Sequence, residues 1–178
     1  ARAQNTPAQA LAAPMAAKAG KNSENAAVHI LNADLHSHSR FSDGTLAPSA
    51  LAERAARNGV ALWALTDHDE TGGLAEAAAA AGALGLPFVN GVEVSVTFAG
   101  ETVHIVGLGF DASHAALQDG LAKTRSGRVA RAQEMADGLA KVGIQGAFDG
   151  ALRYVGNPDL VSRTHFARWM VETGVCPD

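Results

Sequence analysis

Apolar and polar positions divide the chain into a strand-and-helix part followed by a helical part. Val28-His29-Ile30-Leu31 alternates and is β-branched, which predicts a short strand. Pro48 opens a helix that carries Leu51, Ala55 and Ala56 on one face and stops at Gly59. Val60 to Leu65 is an unbroken apolar run bounded by a turn, the pattern of a strand covered on both faces. Thr71 to Leu84 predicts an Ala-rich helix ended by Gly85 and Pro87. Phe88 to Val96 and Thr102 to Leu108 predict two more strands. A β-α-β-α-β order with buried strands argues for an α/β fold with parallel pairing, in a barrel or a wound sheet. Past Asp111 the period changes. His114 to Lys141 reads as one helix with Leu117, Leu121, Val129, Met135 and Leu139 facing inward. Phe148 to Tyr154 and Arg163 to Glu172 read as two shorter helices, and no strand is expected after Leu108. The expected organisation is an Ala-rich, disordered leader at 1–27, a strand-bearing part at 28–112 and a helical insert at 113–178.

Composition narrows the function. Of 178 residues 47% are apolar, enough for a real core. Lys and Arg total 14 against 18 Asp and Glu, a net charge of −4. No basic field exists to hold a long nucleic-acid duplex, so a nucleotide would have to be gripped locally, at a metal or by a few arginines. No apolar run reaches the ~18 residues of a membrane span, so no membrane partner is expected. The lone Cys176 excludes an internal disulfide and fits a reducing, cytoplasmic compartment.

The polar residues that interrupt this pattern carry the chemistry. In a parallel barrel the C-terminal strand ends share one rim, where sites are built, and four polar clusters fall near the ends of the four predicted strands. His36 and His38 lie at i and i+2, which on a strand sends both imidazoles to one face, where they can share a metal ion. Asp43 sits in a Ser-Asp-Gly loop, an ordinary place for a turn aspartate but also able to bind a cation. Asp67-His68-Asp69 ends a buried apolar strand, where three polar groups in a row are costly unless satisfied. One of them can be a helix cap, which leaves His68 as a ligand. Glu93 interrupts a β-branched strand on the side opposite Val92 and Val94, and a carboxylate there can bridge two metal ions. His104 interrupts another apolar strand and gains weight as a ligand from its company. Asp67 and Asp69 are candidate catalytic residues, orienting a ligand histidine from behind. Arg128 and Arg131 lie three apart on one helix face, either simply solvated or available to substrate phosphate. His29 and His114 read as structural and surface residues.

Asp34-Leu35-His36-Ser37-His38-Ser39, Ser42-Asp43-Gly44, Thr66-Asp67-His68-Asp69, Gly91-Val92-Glu93 and His104-Ile105-Val106-Gly107-Leu108-Gly109-Phe110-Asp111 together resemble the PHP (polymerase and histidinol phosphatase) family. The resemblance covers about Val28 to Asp111 and is strongest to its small bacterial phosphoesterases, the 3′,5′-nucleotide bisphosphate phosphatases and 5′-to-3′ exoribonucleases. It implies part of a distorted (β/α)7 barrel with two or three divalent ions (Mn, Fe, Zn or Mg). His36, His38 and Glu93 would hold one ion and Asp43 and His68 another, with Glu93 bridging and His104 completing a further site. Ser162-Arg163-Thr164-His165 resembles a stretch of the family's helical insert, so Arg163 and His165 are expected to contact substrate phosphate. The later His-Pro segment and final Asp-x-His of the family have no counterpart before Asp178. The chain is therefore expected to be a fragment truncated at its C-terminal side, poorly active alone.

The function this implies is hydrolysis of phosphate esters of nucleotides or short oligoribonucleotides by a metal-activated hydroxide. Three other outcomes remain open at this point. They are a histidinol-phosphate-type phosphatase acting on another small phosphorylated substrate, a non-catalytic PHP module, and a zinc-dependent deacylase or amidohydrolase.

Overall fold

The computed structural model describes residues 31–177. The leader, His29 and all but Leu31 of the strand expected at Val28–Leu31 lie outside the described residues. The elements run β1 (Ala33–Asp34), α1 (Pro48–Arg57), β2 (Leu62–Leu65), α2 (Leu74–Leu84), β3 (Phe88–Phe98) and β4 (Glu101–Leu108). They continue with α3 (Ala115–Ser126), α4 (Arg128–Lys141), α5 (Ala147–Leu152), a 3-10 turn at Pro158–Leu160 and α6 (Arg163–Glu172).

The first helices form as their sequence dictates. Pro48 occupies the first turn of α1, where its missing N–H costs nothing, and Gly85 closes α2 in the left-handed conformation. Both helices press small residues (Ala52, Ala55, Ala77, Ala81) onto Trp63, Leu65 and Leu86. Trp63 and Leu65 are 1% and 0% exposed, and burying each stabilises the fold by roughly 1.5–3 kcal/mol.

The sheet has the order β1-β2-β3-β4. β1, β2 and β3 pair in parallel, with Ala33 opposite Leu62 and Trp63 opposite Phe88. The expectation of parallel pairing throughout fails at β4, which runs antiparallel to β3 from Gly91↔Leu108 to Phe98↔Glu101. The reason is the length of the connection. Only Ala99 and Gly100 separate the two strands, both at positive φ (51° and 87°). A two-residue turn of that kind closes a hairpin, whereas a parallel neighbour needs a crossover of a dozen or more residues. β4 also departs from the expected burial: Val103, Ile105 and Leu108 are exposed.

The helix expected over His114 to Lys141 is two helices, broken at Gly127. The inward stripe of α4 is Arg128, Ala132 and Ala136, one helical turn apart, so Val129, expected inside, faces solvent. Ala132 and Ala136 pack with Ala147 and Ala151 of α5 and with Phe166 and Trp169 of α6. Gly150 is required in this second cluster, since a Cβ there would meet the Trp169 ring at 2.3 Å.

Candidate metal centre

Ser37 sets the direction of both histidines beside it. Its hydroxyl donates to the Ala64 carbonyl (2.8 Å) and accepts from the Trp63 indole N–H (3.0 Å), and its backbone N–H donates to Thr66 Oγ1 (3.1 Å). With Ser37 fixed against β2, the alternation of an extended segment turns His36 and His38 to the other side. His68 follows β2 directly and forms a parallel bridge with Glu93, in the middle of β3. In the hairpin register Ser95 lies opposite His104. Alternation puts Glu93 on the same face as Ser95, so His104 reaches the site as a diagonal cross-strand neighbour of Glu93.

These placements bring together all six sequence-expected ligands. Glu93 Oε2 lies 2.7 Å from His36 Nε2, 3.0 Å from His38 Nε2 and 3.6 Å from His68 Nδ1, and Glu93 Oε1 lies 3.5 Å from His104 Nδ1. Asp43 is 3.7 Å from both His38 Nδ1 and His68 Nε2. Three overlapping triads result, His36–His38–Glu93, His38–Asp43–His68 and His68–Glu93–His104, each with ligand atoms within 4.8 Å of one another. The expected common rim of four parallel strand ends is corrected here: His36, His38 and His68 do lie just past strand ends, but Glu93 and His104 come from the body of a hairpin.

The donor set fits cations. A neutral imidazole offers one N–H and one lone pair, and four imidazoles crowd two carboxylates. His38 Nδ1 and His68 Nδ1 are buried with no hydrogen-bond partner. Leaving such an atom unpaired costs about 1–3 kcal/mol, so an orphaned pair at the centre of a His/carboxylate cluster is where a ligand belongs. Burial lowers the pKa of His68 despite the nearby Asp43 and Glu93 charges, which keeps its lone pair free. Burial pushes Glu93 upward, but the His36 hydrogen bond and the His68, His38 and His36 charges outweigh it, and its carboxyl titrates below the usual range.

Asp67 and Asp69 hold the backbone and side chains around the cluster. Neither hydrogen-bonds an imidazole of the cluster. Asp67, 1% exposed, accepts from Ser39 N (2.7 Å), Ser39 Oγ (2.6 Å) and Ser42 Oγ (2.5 Å), so it fixes the loop leading to Asp43. Its pKa is raised by burial, against those hydrogen bonds. Gly44 lets the same loop close, since a Cβ there would lie 2.1 Å from the His38 carbonyl oxygen. Asp69, 0% exposed and at φ 51°, accepts from Ser95 N (2.7 Å) and pairs with Arg128 through its Nε (3.1 Å) and Nη2. Arg128 also donates to Ser95 Oγ (3.0 Å), and Arg125 donates to the Asp69 carbonyl (2.6 Å). Two arginines flanking the α3–α4 break thus grip the turn just after His68.

The open side of the cluster is a cavity of about 480 Å³, lined by Asp43, His68 and His104 on one side and by Arg128, Arg131 and Arg163 on the other. Arg128 is committed to Asp69. Arg131 and Arg163 have no carboxylate within 4.0 Å among the described residues. His165, 3% exposed, is turned inward, and its Nδ1 accepts from Ser162 N (3.0 Å) in a capping box of α6. Sequence reasoning missed Ser39, Ser42, Ser95, Arg125 and Thr164. The serines flank the recognised motifs and were findable. Thr164 lies in the recognised Ser162–His165 stretch, but nothing local marks it as a donor to Asp43, 121 positions away.

Residues 34–139 match the family model for the PHP domain. The chain is 57% identical over 147 residues to the 3′,5′-nucleoside bisphosphate phosphatase of Chromobacterium violaceum, covering 83% of this chain and 52% of that protein. It is 43% identical over 141 residues to a 5′-3′ exoribonuclease of Haemophilus influenzae, covering 79% and 51%. Among solved structures it resembles an amidohydrolase from Chromobacterium violaceum with bound sulfate and no metal, with a TM-score of 0.80, 57% identity, and coverage of 83% and 52%. The chain spans about half the length of the curated relatives it matches.

Proposed function

The chain belongs to the PHP domain family, and on that premise we propose that it carries the metal-binding part of a metal-dependent phosphoesterase acting on nucleotides or short oligoribonucleotides. The observation that carries this reading is the set of overlapping His/carboxylate triads around two orphaned, buried imidazole nitrogens. In this reading the strand-bearing part, 28–112, belongs to a distorted (β/α)7 barrel, and 113–178 is an insert that covers one side of the site.

His36, His38 and Glu93 would hold one divalent ion, His38, Asp43 and His68 a second, with Glu93 between them and His104 completing a third position. Mixed imidazole and carboxylate donors suit Mn, Fe, Zn or Mg in differing degree. When bound, such ions supply Lewis acidity and lower the pKa of water toward neutrality. The chain's own groups do the rest. Glu93 stays ionised and His68 neutral, each in its ligating form. Arg131 and Arg163 face the same cavity with charge to spare, and they offset the negative charge of phosphoryl oxygens. The cavity volume suits one nucleotide-sized ligand.

The names of the relatives support phosphate esters of nucleotides. The amidohydrolase name of the solved relative keeps amide hydrolysis as the second reading. The test is a panel of 3′,5′-nucleoside bisphosphates, 5′-phosphorylated short RNA, histidinol phosphate and N-acyl substrates, with Mn²⁺, Zn²⁺ and Mg²⁺, on the complete protein as encoded and on His68→Ala. Phosphate release that His68→Ala abolishes supports the proposal. Undiminished turnover by His68→Ala, or release from N-acyl substrates only, refutes it.

A further inference from the structure

The loop that carries Asp43 is held from two sides. From the sheet side, Asp67 takes three hydrogen bonds from Ser39 and Ser42. From the other side, the first turn of α6 reaches the same loop: Thr164 Oγ1 donates to Asp43 Oδ2 at 2.9 Å. The next residue, His165, is locked: it is 3% exposed, and its Nδ1 accepts from Ser162, the N-cap of α6.

Asp43 without Thr164 would have slack. Its carboxylate is 14% exposed and sits 3.7 Å from His38 Nδ1 and from His68 Nε2, too far for a hydrogen bond to either. A carboxylate held by neither imidazole can rotate about its side-chain torsions. The Thr164 hydroxyl fixes that rotation, while the second carboxylate oxygen and the remaining lone pairs stay directed at the triad. A partner that orients a ligating carboxylate typically contributes 10–100-fold in metal affinity.

We propose that Thr164 is a positioning residue for the metal ligand Asp43, and that α6 therefore docks more firmly when the His38–Asp43–His68 triad is loaded. The proposal rests on the reading of the cluster as a metal centre. Coupling of this kind is reciprocal: if the docked helix raises metal affinity, metal must raise helix docking by the same factor. The site and the cavity wall that bears Arg163 are then assembled together, although they are 121 positions apart in sequence.

The experiment compares wild type, Thr164→Val and Thr164→Ser. Metal-free protein is titrated with Mn²⁺ and with Zn²⁺ by calorimetry, and backbone hydrogen exchange of α6 is followed with and without metal. Thr164→Val, nearly isosteric but without the donor, is expected to bind one ion about tenfold or more weaker. It should keep its metal-free thermal midpoint and lose the metal-induced protection of α6. Thr164→Ser is expected to restore both. Unchanged affinity in Thr164→Val overturns the positioning role and leaves the metal centre standing. A wild-type protein that binds neither ion overturns the metal centre and the positioning role together.

Discussion

Arg128 is the residue whose role the structure changes most, and replacing it gives a quantitative test. Its guanidinium is 9% exposed and faces Asp69, whose side chain is fully buried. Arg128→Met keeps most of the apolar stem that packs beside Ala132, so the loss is mainly electrostatic. Asp69 keeps its hydrogen bond from Ser95 N but becomes a buried carboxylate without a cation. Removing one partner of a buried pair costs about 3–5 kcal/mol. The lost bond to Ser95 Oγ adds about 0.5–1.5 kcal/mol. A total near 5 kcal/mol is a large share of the 5–15 kcal/mol that stabilises a typical domain. The assay is urea unfolding of metal-free protein, followed by tryptophan fluorescence and far-UV circular dichroism. Arg128→Met/Asp69→Asn removes both charges, and Asn tolerates the positive φ at position 69. This double variant is expected to be more stable than Arg128→Met alone. A loss below about 1 kcal/mol for Arg128→Met, or a double variant less stable than the single one, refutes the view of Arg128 as a structural clamp.

Two further outcomes follow from the same geometry. Arg131→Ala and Arg163→Ala in the complete protein are each expected to raise KM for a nucleotide substrate about tenfold or more, from the loss of a charge-assisted contact, with little change in unfolding midpoint; an unchanged KM removes them from the substrate site. Metal-free protein is expected to lose stability on acidification. His68 and His165 titrate below 6.5 in the fold, so as pH falls past about 6.5 the unfolded chain takes protons that the folded state refuses. Glu93 titrates below 4.5, and the stability it contributes above that value is lost as pH falls through its folded value, while the raised Asp67 opposes this in part. Urea midpoints that rise between about pH 7 and pH 5 contradict this assignment.

The sequence by itself determined the helices around Pro48 and Gly85, the buried run at Leu62–Leu65, and the identity of the six residues that meet at the candidate metal centre. Those features are local: capping, periodicity and motif spacing act over a few residues and leave a readable pattern. It also carried the signal for the β3–β4 hairpin in Ala99-Gly100, although the β-α-β-α-β order argued for parallel strands. Tertiary structure alone decided which polar groups are partners. Asp69 stands beside His68 in sequence, yet its charge is spent on Arg128, 59 residues away. Thr164 meets Asp43 only because α6 returns over the loop. A carboxylate or guanidinium has no preferred partner until packing excludes water and leaves one neighbour within reach, and that choice depends on contacts too distant along the chain for any local pattern to record.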